Sequence, residues 1–416
     1  MSTWRPGLRV KGVAAELLPG GEVVVRAGGA SVLVRGGLPG EELEISLTGK
    51  RRGAWRGRLV RVLQASDWRT VPLCSVAGRC GGCALQHCDP AGQSTWKSRW
   101  VRKAFDPWIQ SSTEWIPCSP IHAGVRRRRV RWHVGHDDHG RYLGFRVYAG
   151  HQVIRQSECP AVSPELVDLR RSIESRVPGG VKSVQATALH DGIHLIWESD
   201  QPVEPLDDLE VNQWWRHANG THPLGEVRTL HDCLPAGKQW IRLAIGPDAF
   251  VQGERSGNVE LVSQIQAWLP DECRLIVDLF CGAGNLSLPA AVVTNAELIG
   301  AEINANSLRD AEYNARRLNV RARFLEANLF GAFNTEPFAG ADVMILDPPR
   351  KGCRQVCRML PTMMPRRVIL ISCDSASAAR DAALLHEAGY RLHAVRALDL
   401  FPWSGHVEAM SLWLPV

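Results

Sequence analysis

The chain has 416 residues, 45% of them hydrophobic and 22% charged, a balance that fits packed globular domains and excludes a disordered chain. Its net charge of +6 is unevenly spread: residues 1–160 hold 25 Lys and Arg against 12 Asp and Glu, and residues 161–416 hold 24 against 31. A front part at +13 and a body at −7 argue against one uniform domain and point to a polyanion-binding region ahead of an acidic body.

Residues 1–65 alternate short β-prone runs with glycines, at Glu22–Arg26, Ser31–Arg35, Leu43–Leu47 and Trp55–Leu63. That spacing predicts a small β-barrel, and 11 basic against 5 acidic residues suit a nucleic-acid-binding one. No basic-then-apolar leader opens the sequence, so a cytoplasmic protein is expected. Disulfides are rarely maintained there, and the twelve cysteines need metal binding, catalysis or burial instead.

Residues 66–245 read as a central mixed α+β region. Cys74, Cys80 and Cys83 form C-x5-C-x2-C, with Cys159 followed by Pro160 much further on. Glycines at 81 and 82 let a loop wrap a metal. Four thiolates suit a [4Fe–4S] cluster or a zinc ion, and Cys88 is a possible substitute ligand. Arg126–Arg129 and Arg131 place five arginines in six positions, suggesting a phosphate-contacting strand.

Residues 246–416 change pattern. Strands predicted at Leu275–Leu279, Glu297–Ala301, Val343–Leu346 and Val368–Ser372 alternate with helices at Ala305–Leu318 and Ala376–Glu387, the signature of a doubly wound parallel sheet. The uncharged run Leu279–Ala296 is long enough to raise a membrane span, but its glycines, Asn285, Pro289 and Asn295 fit a strand-loop-helix better. Gly282-Ala283-Gly284 follows a strand carrying Asp278, and Glu302 ends the next strand, where it could accept ribose hydroxyls. The third glycine of a dinucleotide loop is absent, which favours S-adenosylmethionine, a cofactor with no pyrophosphate. Asp347-Pro348-Pro349-Arg350-Lys351-Gly352 then displays an acid on a stiff loop. Cys373 ends a further strand on the same sheet edge. A thiolate there could add to carbon-6 of uracil and activate carbon-5 for methylation; Glu408, with His406 as competitor, could remove the carbon-5 proton.

Together, Asp278-Leu-Phe-Cys-Gly-Ala-Gly-Asn285, the Asp-Pro-Pro loop, Ser372-Cys373 and Phe401-Pro402…His406-Val407-Glu408 resemble the RNA (uracil-5-)-methyltransferase family. The resemblance implies Cys373 as nucleophile and Glu408 as base, with Gln252, Phe280, Asn285, Glu302, Asn328 and Asp347 around S-adenosylmethionine and the target base. The segment Arg79–Cys83 with Leu85-Gln86-His87 resembles the iron–sulfur segment of the ribosomal RNA branch, implying Cys74, Cys80, Cys83 and Cys159 as ligands of a [4Fe–4S] cluster. Leu38-Pro39-Gly40-Glu41 resembles the signature of that branch's OB-fold-like TRAM barrel. Two departures stand out: Asp374-Ser375 replaces the family's Asn-Pro after the cysteine, and Trp403-Ser404-Gly405 replaces its Gln-Thr-x. A carboxylate beside Cys373 is expected to disfavour the thiolate.

The expectation is therefore a multidomain monomer: an OB-fold-like TRAM barrel over 1–65, a central α+β iron–sulfur domain over 66–245 and an α/β Rossmann-like methyltransferase domain over 246–416. Its expected partner is 23S ribosomal RNA, with no membrane. Transfer RNA is the alternative substrate, and a non-catalytic RNA-binding or ribosome-assembly factor is the alternative of another class.

Overall fold

The computed structural model describes residues 4–120 and 126–416. Strands β1 (Arg9–Leu17), β2 (Glu22–Ala27), β3 (Ala30–Arg35), β4 (Glu42–Arg51) and β5 (Ala54–Gln64) close into a barrel in the order β1-β2-β3-β5-β4. Period-two alternation points Val23, Val25, Val32, Val34, Leu43, Ile45 and Leu47 inward, where all are fully buried. Sequence reading found four of these strands and missed β1, whose polar residues and Gly12 dilute the pattern. The Leu38–Glu41 turn has a structural task. Glu41 is fully buried and accepts from Leu38 N at 2.7 Å and from Arg69 Nη2 at 2.8 Å. Arg69 also donates to the Gly36 carbonyl at 2.7 Å, so this ion pair latches the barrel onto the chain that leaves it.

Helix α1 (Pro90–Phe105) follows, capped by Asp89, which accepts from Gly92 N at 2.6 Å, with Pro90 in the first turn. Its buried Trp96, Trp100 and Phe105 share one core with the barrel and with the C-terminal sheet. Trp100 Nε1 donates to Leu17 O at 2.6 Å. Strand β6 (Glu114–Ile116) adds to the edge of the C-terminal sheet.

The central sheet contains β7 (Arg129–Asp137), β8 (Gly140–Arg146), β9 (Val153–Arg155), β10 (Val181–Ala188), β11 (Ile193–Ser199), β12 (Asn212–His217) and β13 (Gly220–Pro223). Their order is β13-β12-β11-β10-β7-β8-β9. Helix α2 (Pro164–Ile173) packs its Leu166 and Ile173 with Trp132 and Trp197. The arginine run does not form one RNA-facing row. Arg128 is buried and bidentate to buried Asp232 at 2.7 and 2.8 Å, Arg127 donates to Gly82 O at 2.8 Å, and Arg131 pairs with Glu198 at 2.9 Å. Hairpin β14 (His231–Ala236) and β15 (Gln239–Ala244) leads into the last part.

There, α3 (Arg255–Ala267), β16 (Leu275–Leu279), α4 (Ser287–Thr294), β17 (Glu297–Glu302), α5 (Ala305–Arg317), β18 (Ala322–Glu326), β19 (Val343–Leu346), α6 (Arg354–Met363), β20 (Val368–Ser372), α7 (Ser375–Glu387), β21 (Tyr390–Leu398) and β22 (Glu408–Pro415) build an eight-stranded sheet. Its order is β18-β17-β16-β19-β20-β22-β21-β6. Every strand and helix expected in this region agrees with the structure to within one residue. Strands β16 to β20 run parallel, and the order reverses between β16 and β19. Ligands of open α/β sheets bind at such a switch point, outside the carboxyl ends of the strands. Among the described residues no helix is long and apolar enough to cross a membrane.

Candidate active site

The loop after β16 turns sharply because Phe280, Gly282 and Gly284 adopt left-handed backbone, with φ of 75°, 53° and 84°. A Cβ on Gly284 would lie 2.4 Å from the Leu288 side chain, so only glycine fits. Glu302 at the end of β17 reaches back to this loop: one oxygen accepts from Gly282 N at 3.3 Å, the other from Ile303 N and Asn304 N at 2.8 and 2.9 Å. Asn285 forms a reciprocal amide pair with buried Asn258 of α3, both bonds 2.9 Å. Asn258 escaped sequence reading because no motif surrounds it. Phe280 packs against Phe330 with centroids 5.4 Å apart, and Lys351 Nζ lies 3.3 Å from the Phe330 centroid. Neither Phe330 nor Lys351 was singled out from the sequence; the only pointers were their positions beside Asn328 and inside the Asp-Pro-Pro loop. Asn328 itself is exposed and accepts from Phe330 N at 3.1 Å. Gln252 is buried just ahead of α3, its carbonyl accepting from Arg128 Nε at 2.9 Å.

Asp278 is the most unusual group in this loop. It is 1% exposed, and the group turned toward its carboxylate is the Ser287 hydroxyl of α4, outside ordinary hydrogen-bond geometry. Burial first, with the charges of Asp347 and Glu302, pushes its pKa up to about 7 against the lowering influence of the Ser287 hydroxyl. A buried carboxylate with so little hydrogen bonding beside two others is costly unless a cation joins it. The sign follows from the raised folded-state value: below about pH 4 the group is neutral in both states, and its ionisation costs stability as pH rises through about 7. Asp278→Asn should therefore melt above the ligand-free parent at pH 8, by up to roughly 4 kcal/mol of stability, and level with it near pH 4. Thermal melts across that range check this, and a gap independent of pH would contradict it.

The carboxyl edges of β19 and β20 and the start of β22 bring Asp347, Cys373 and Glu408 together. Ser372 of β20 pairs with Ala409 of β22, which sets Glu408 beside the residue after Ser372. Glu408 is 3% exposed, and burial plus the Asp347 charge hold its carboxyl well above the usual range. Burial likewise pushes Asp347 up to about 7. The Cys373 thiol is pushed up to about 11 by burial, then by Glu408 and Asp347, while Arg350 pulls it down. In the ligand-free protein the thiol and at least one carboxyl thus hold their protons near neutrality. His406 does not compete well as a base, since its Nε2 lies 3.3 Å from Arg350 Nη2, and burial followed by that cation lowers its pKa.

Asp374 is not the electrostatic obstacle expected of it. Its carboxylate is the N-cap of α7, accepting from Ala376 N and Ser377 N at 3.1 and 2.9 Å, and the carboxylates acting on Cys373 are Glu408 and Asp347. Downstream of the Pro-Pro motif, Arg380 Nη2 donates to Lys351 O at 2.7 Å, and Asp381 accepts from Cys353 N at 2.8 Å. Cys353, Cys357 and Asp381 place their donor atoms within 4.8 Å of one another. Asp381 is already engaged by Arg380 and the Cys353 amide, so the trio is read as a clasp for the loop.

The C-x5-C-x2-C thiols and Cys159 line one cavity of about 230 Å³, with Gln86, Arg127 and Gln156. Gln156 Nε2 donates to Cys74 Sγ at 2.9 Å and Gly82 N to Cys80 Sγ at 3.4 Å. Burial first raises the thiols of Cys80, Cys83 and Cys159, and charges of neighbouring cysteines add to it. Cys88 does not line this cavity; its Sγ sits against Gly92, where an added Cβ would come within 2.7 Å. A larger cleft of about 720 Å³ opens between the barrel, the cysteine loop and the catalytic edge, lined among others by Arg35, Arg127, Arg129, Tyr148, Arg350 and His406.

A methyltransferase-domain family model matches residues 271–387. A 23S rRNA (uracil(1939)-C(5))-methyltransferase from Pseudomonas aeruginosa is 33% identical over 94% of this chain and 91% of its own. One from Yersinia enterocolitica is 30% identical over 95% and 93%. Among solved structures, a Pyrococcus abyssi tRNA (uracil-54, C5)-methyltransferase in complex with S-adenosyl-L-homocysteine shares the fold, with a TM-score of 0.74 and 21% identity over 97% of this chain and all of that one. With that identity to curated relatives sustained over nearly its whole length, the chain belongs to the RNA (uracil-5-)-methyltransferase family.

Proposed function

We infer that this protein transfers a methyl group from S-adenosylmethionine to carbon-5 of a uridine in 23S ribosomal RNA, at the position corresponding to the uracil 1939 that names its relatives. The observation that carries the reading is the meeting of Cys373, Asp347 and Glu408 on one sheet edge, beside a glycine loop that follows the buried carboxylate of Asp278. S-adenosylmethionine, when bound, supplies an electrophilic methyl group on a cationic sulfonium, and the negative charge of Asp278, Glu302 and Asp347 suits such a cation. We assign Gln252, Phe280, Asn285, Glu302, Asn328 and Asp347 to holding it and the target base.

The chain's own residues then act in order. RNA lies along the basic cleft, and the target uridine leaves its stack to reach the sheet edge. Cys373 gives up its proton to a neighbouring carboxylate, helped by the Arg350 charge, and its sulfur adds to carbon-6 of the uracil. The displaced electron pair forms an enolate, and carbon-5 takes the methyl group. Glu408, as carboxylate, removes the carbon-5 proton; the electron pair restores the ring double bond and expels the Cys373 sulfur. RNA from cells lacking this protein should lack 5-methyluridine at the corresponding 23S position and regain it on complementation, as read by mass-spectrometric mapping. Unchanged 23S modification with a loss from transfer RNA would contradict the reading.

The cysteine cavity fits a [4Fe–4S] cluster held by Cys74, Cys80, Cys83 and Cys159. A tetrahedral zinc ion with sulfur at about 2.3 Å would draw four sulfurs to within about 4 Å of each other. Among the described residues, however, the donor set gathered within 4.8 Å is Cys353, Cys357 and Asp381, and the four cysteines instead surround about 230 Å³. The cluster's role proposed here is structural, with no electron transferred in methylation. Cys80→Ser should yield colourless protein that has lost RNA binding or solubility, checked by visible absorbance and RNA titration. Full RNA binding and solubility in the colourless variant would contradict that role.

A further inference from the structure

The loop between β21 and β22, residues 399–407, carries His406 and ends at Glu408, yet nearly everything that grips it lies outside the catalytic sheet. Lys97 of α1, fully buried, donates to Asp399 Oδ2 at 2.5 Å and to Phe401 O at 2.9 Å. Gln93, also on α1 and 1% exposed, accepts from Trp403 N at 2.9 Å and donates its Nε2 to Cys88 O at 2.8 Å. The Trp403 carbonyl accepts from Ala84 N and Leu85 N, the residues directly after Cys83, at 2.8 and 2.7 Å. Trp403 itself has left-handed backbone at φ 58°, a conformation that persists only where surrounding contacts impose it. Gly405 O accepts from Gly20 N of the barrel at 2.8 Å, and a Cβ on Gly405 would fall 2.4 Å from the Gly20 carbonyl carbon.

Cys373 is supported differently. It directly follows β20, and the next residue caps α7, so the nucleophile is held between the sheet and its own helix. Glu408 shares that sheet through the Ala409–Ser372 and Glu408–Leu398 pairings, but the loop leading into it is also gripped by α1, the cysteine segment and the barrel, a support that the Cys373 turn does not share. We propose that Gln93, with Lys97 and the Ala84–Leu85 amides, is a positioning residue for the catalytic tail, setting where Glu408 meets the base without affecting attack by Cys373. The proposal rests on the roles given to Cys373 and Glu408 above. It also makes the cysteine segment a mechanical part of the proton-removal step, since Ala84 and Leu85 follow a cluster ligand without a break.

The test compares the parent, Gln93→Ala and Gln93→Glu, the last keeping an acceptor oxygen for Trp403 N. RNA carrying 5-fluorouridine reports attack and methyl transfer alone, because fluorine at carbon-5 cannot be removed as a proton. Gln93→Ala should form that adduct within about twofold of the parent rate, while turnover on uridine RNA falls at least about tenfold with KM little changed. Exchange of the Trp403 amide should quicken while β20 stays protected, and Gln93→Glu should restore turnover. Parent-like turnover in Gln93→Ala would overturn the proposal. So would a parallel loss of adduct and turnover, which would make the residue merely structural. Absence of any adduct in the parent would instead remove the Cys373 reading and this proposal with it.

Discussion

Replacing Glu408 by Gln should convert a turning-over enzyme into one that stops as a methylated, covalently attached RNA complex. The amide keeps the shape of a 3% exposed side chain and removes only the group that can take the carbon-5 proton. Without that step the Cys373 sulfur has no route off carbon-6, so product release should slow by roughly 10²- to 10⁴-fold, the usual contribution of a positioned general base. A band of protein plus RNA that survives denaturation, carrying label from the methyl donor, is the expected readout on ordinary uridine RNA. The parent itself should depend on pH in a defined direction. Burial pushes Asp347 up to about 7 and holds Glu408 well above its usual range, so turnover should rise with pH as these carboxyls ionise, and Glu408→Gln should lose the part of that rise due to Glu408.

Cys373→Ala should lose methylation altogether, on the order of 10⁵-fold as for deletion of other covalent nucleophiles, while keeping RNA affinity and folding. The side chain is half-buried at a strand end, and shortening it leaves the β20 pairing and the Asp374 cap untouched. The variant should form no adduct with 5-fluorouridine RNA. Methylation surviving in it would transfer the chemistry to another residue, and the other thiols of this sheet edge among the described residues, Cys281 of the glycine loop and Cys353 at the end of the Asp-Pro-Pro loop, are both buried.

Much of this site was legible because its parts are local in sequence. A strand followed by Gly-x-Gly, an Asp-Pro-Pro loop and a cysteine after an apolar run each announce themselves within ten residues, and a parallel sheet must bring such strand ends to one edge. Asp374 shows where residue-by-residue reading misled. Its charge looked harmful beside Cys373, and only the backbone direction of α7 reveals it as a cap. The arginine run misled for a related reason: charge in sequence says nothing of partners, and Asp232, which neutralises Arg128, lies about a hundred residues away. Contacts across that distance, such as Lys97 with Asp399 or Gln93 with Trp403, have no signature in a single sequence. The first strand of the barrel and the packing of α1 onto the C-terminal sheet were hidden likewise, because both depend on tertiary partners more than on local pattern.

The most direct test of the central claim is the mass of the tryptic peptide recovered after the protein reacts with S-adenosylmethionine and 23S RNA fragments containing 5-fluorouridine. The account predicts a single modified peptide, with a 5-methyl-5-fluorouracil nucleotide attached at Cys373. Bound RNA with no covalent product, or attachment at any other residue, would contradict it.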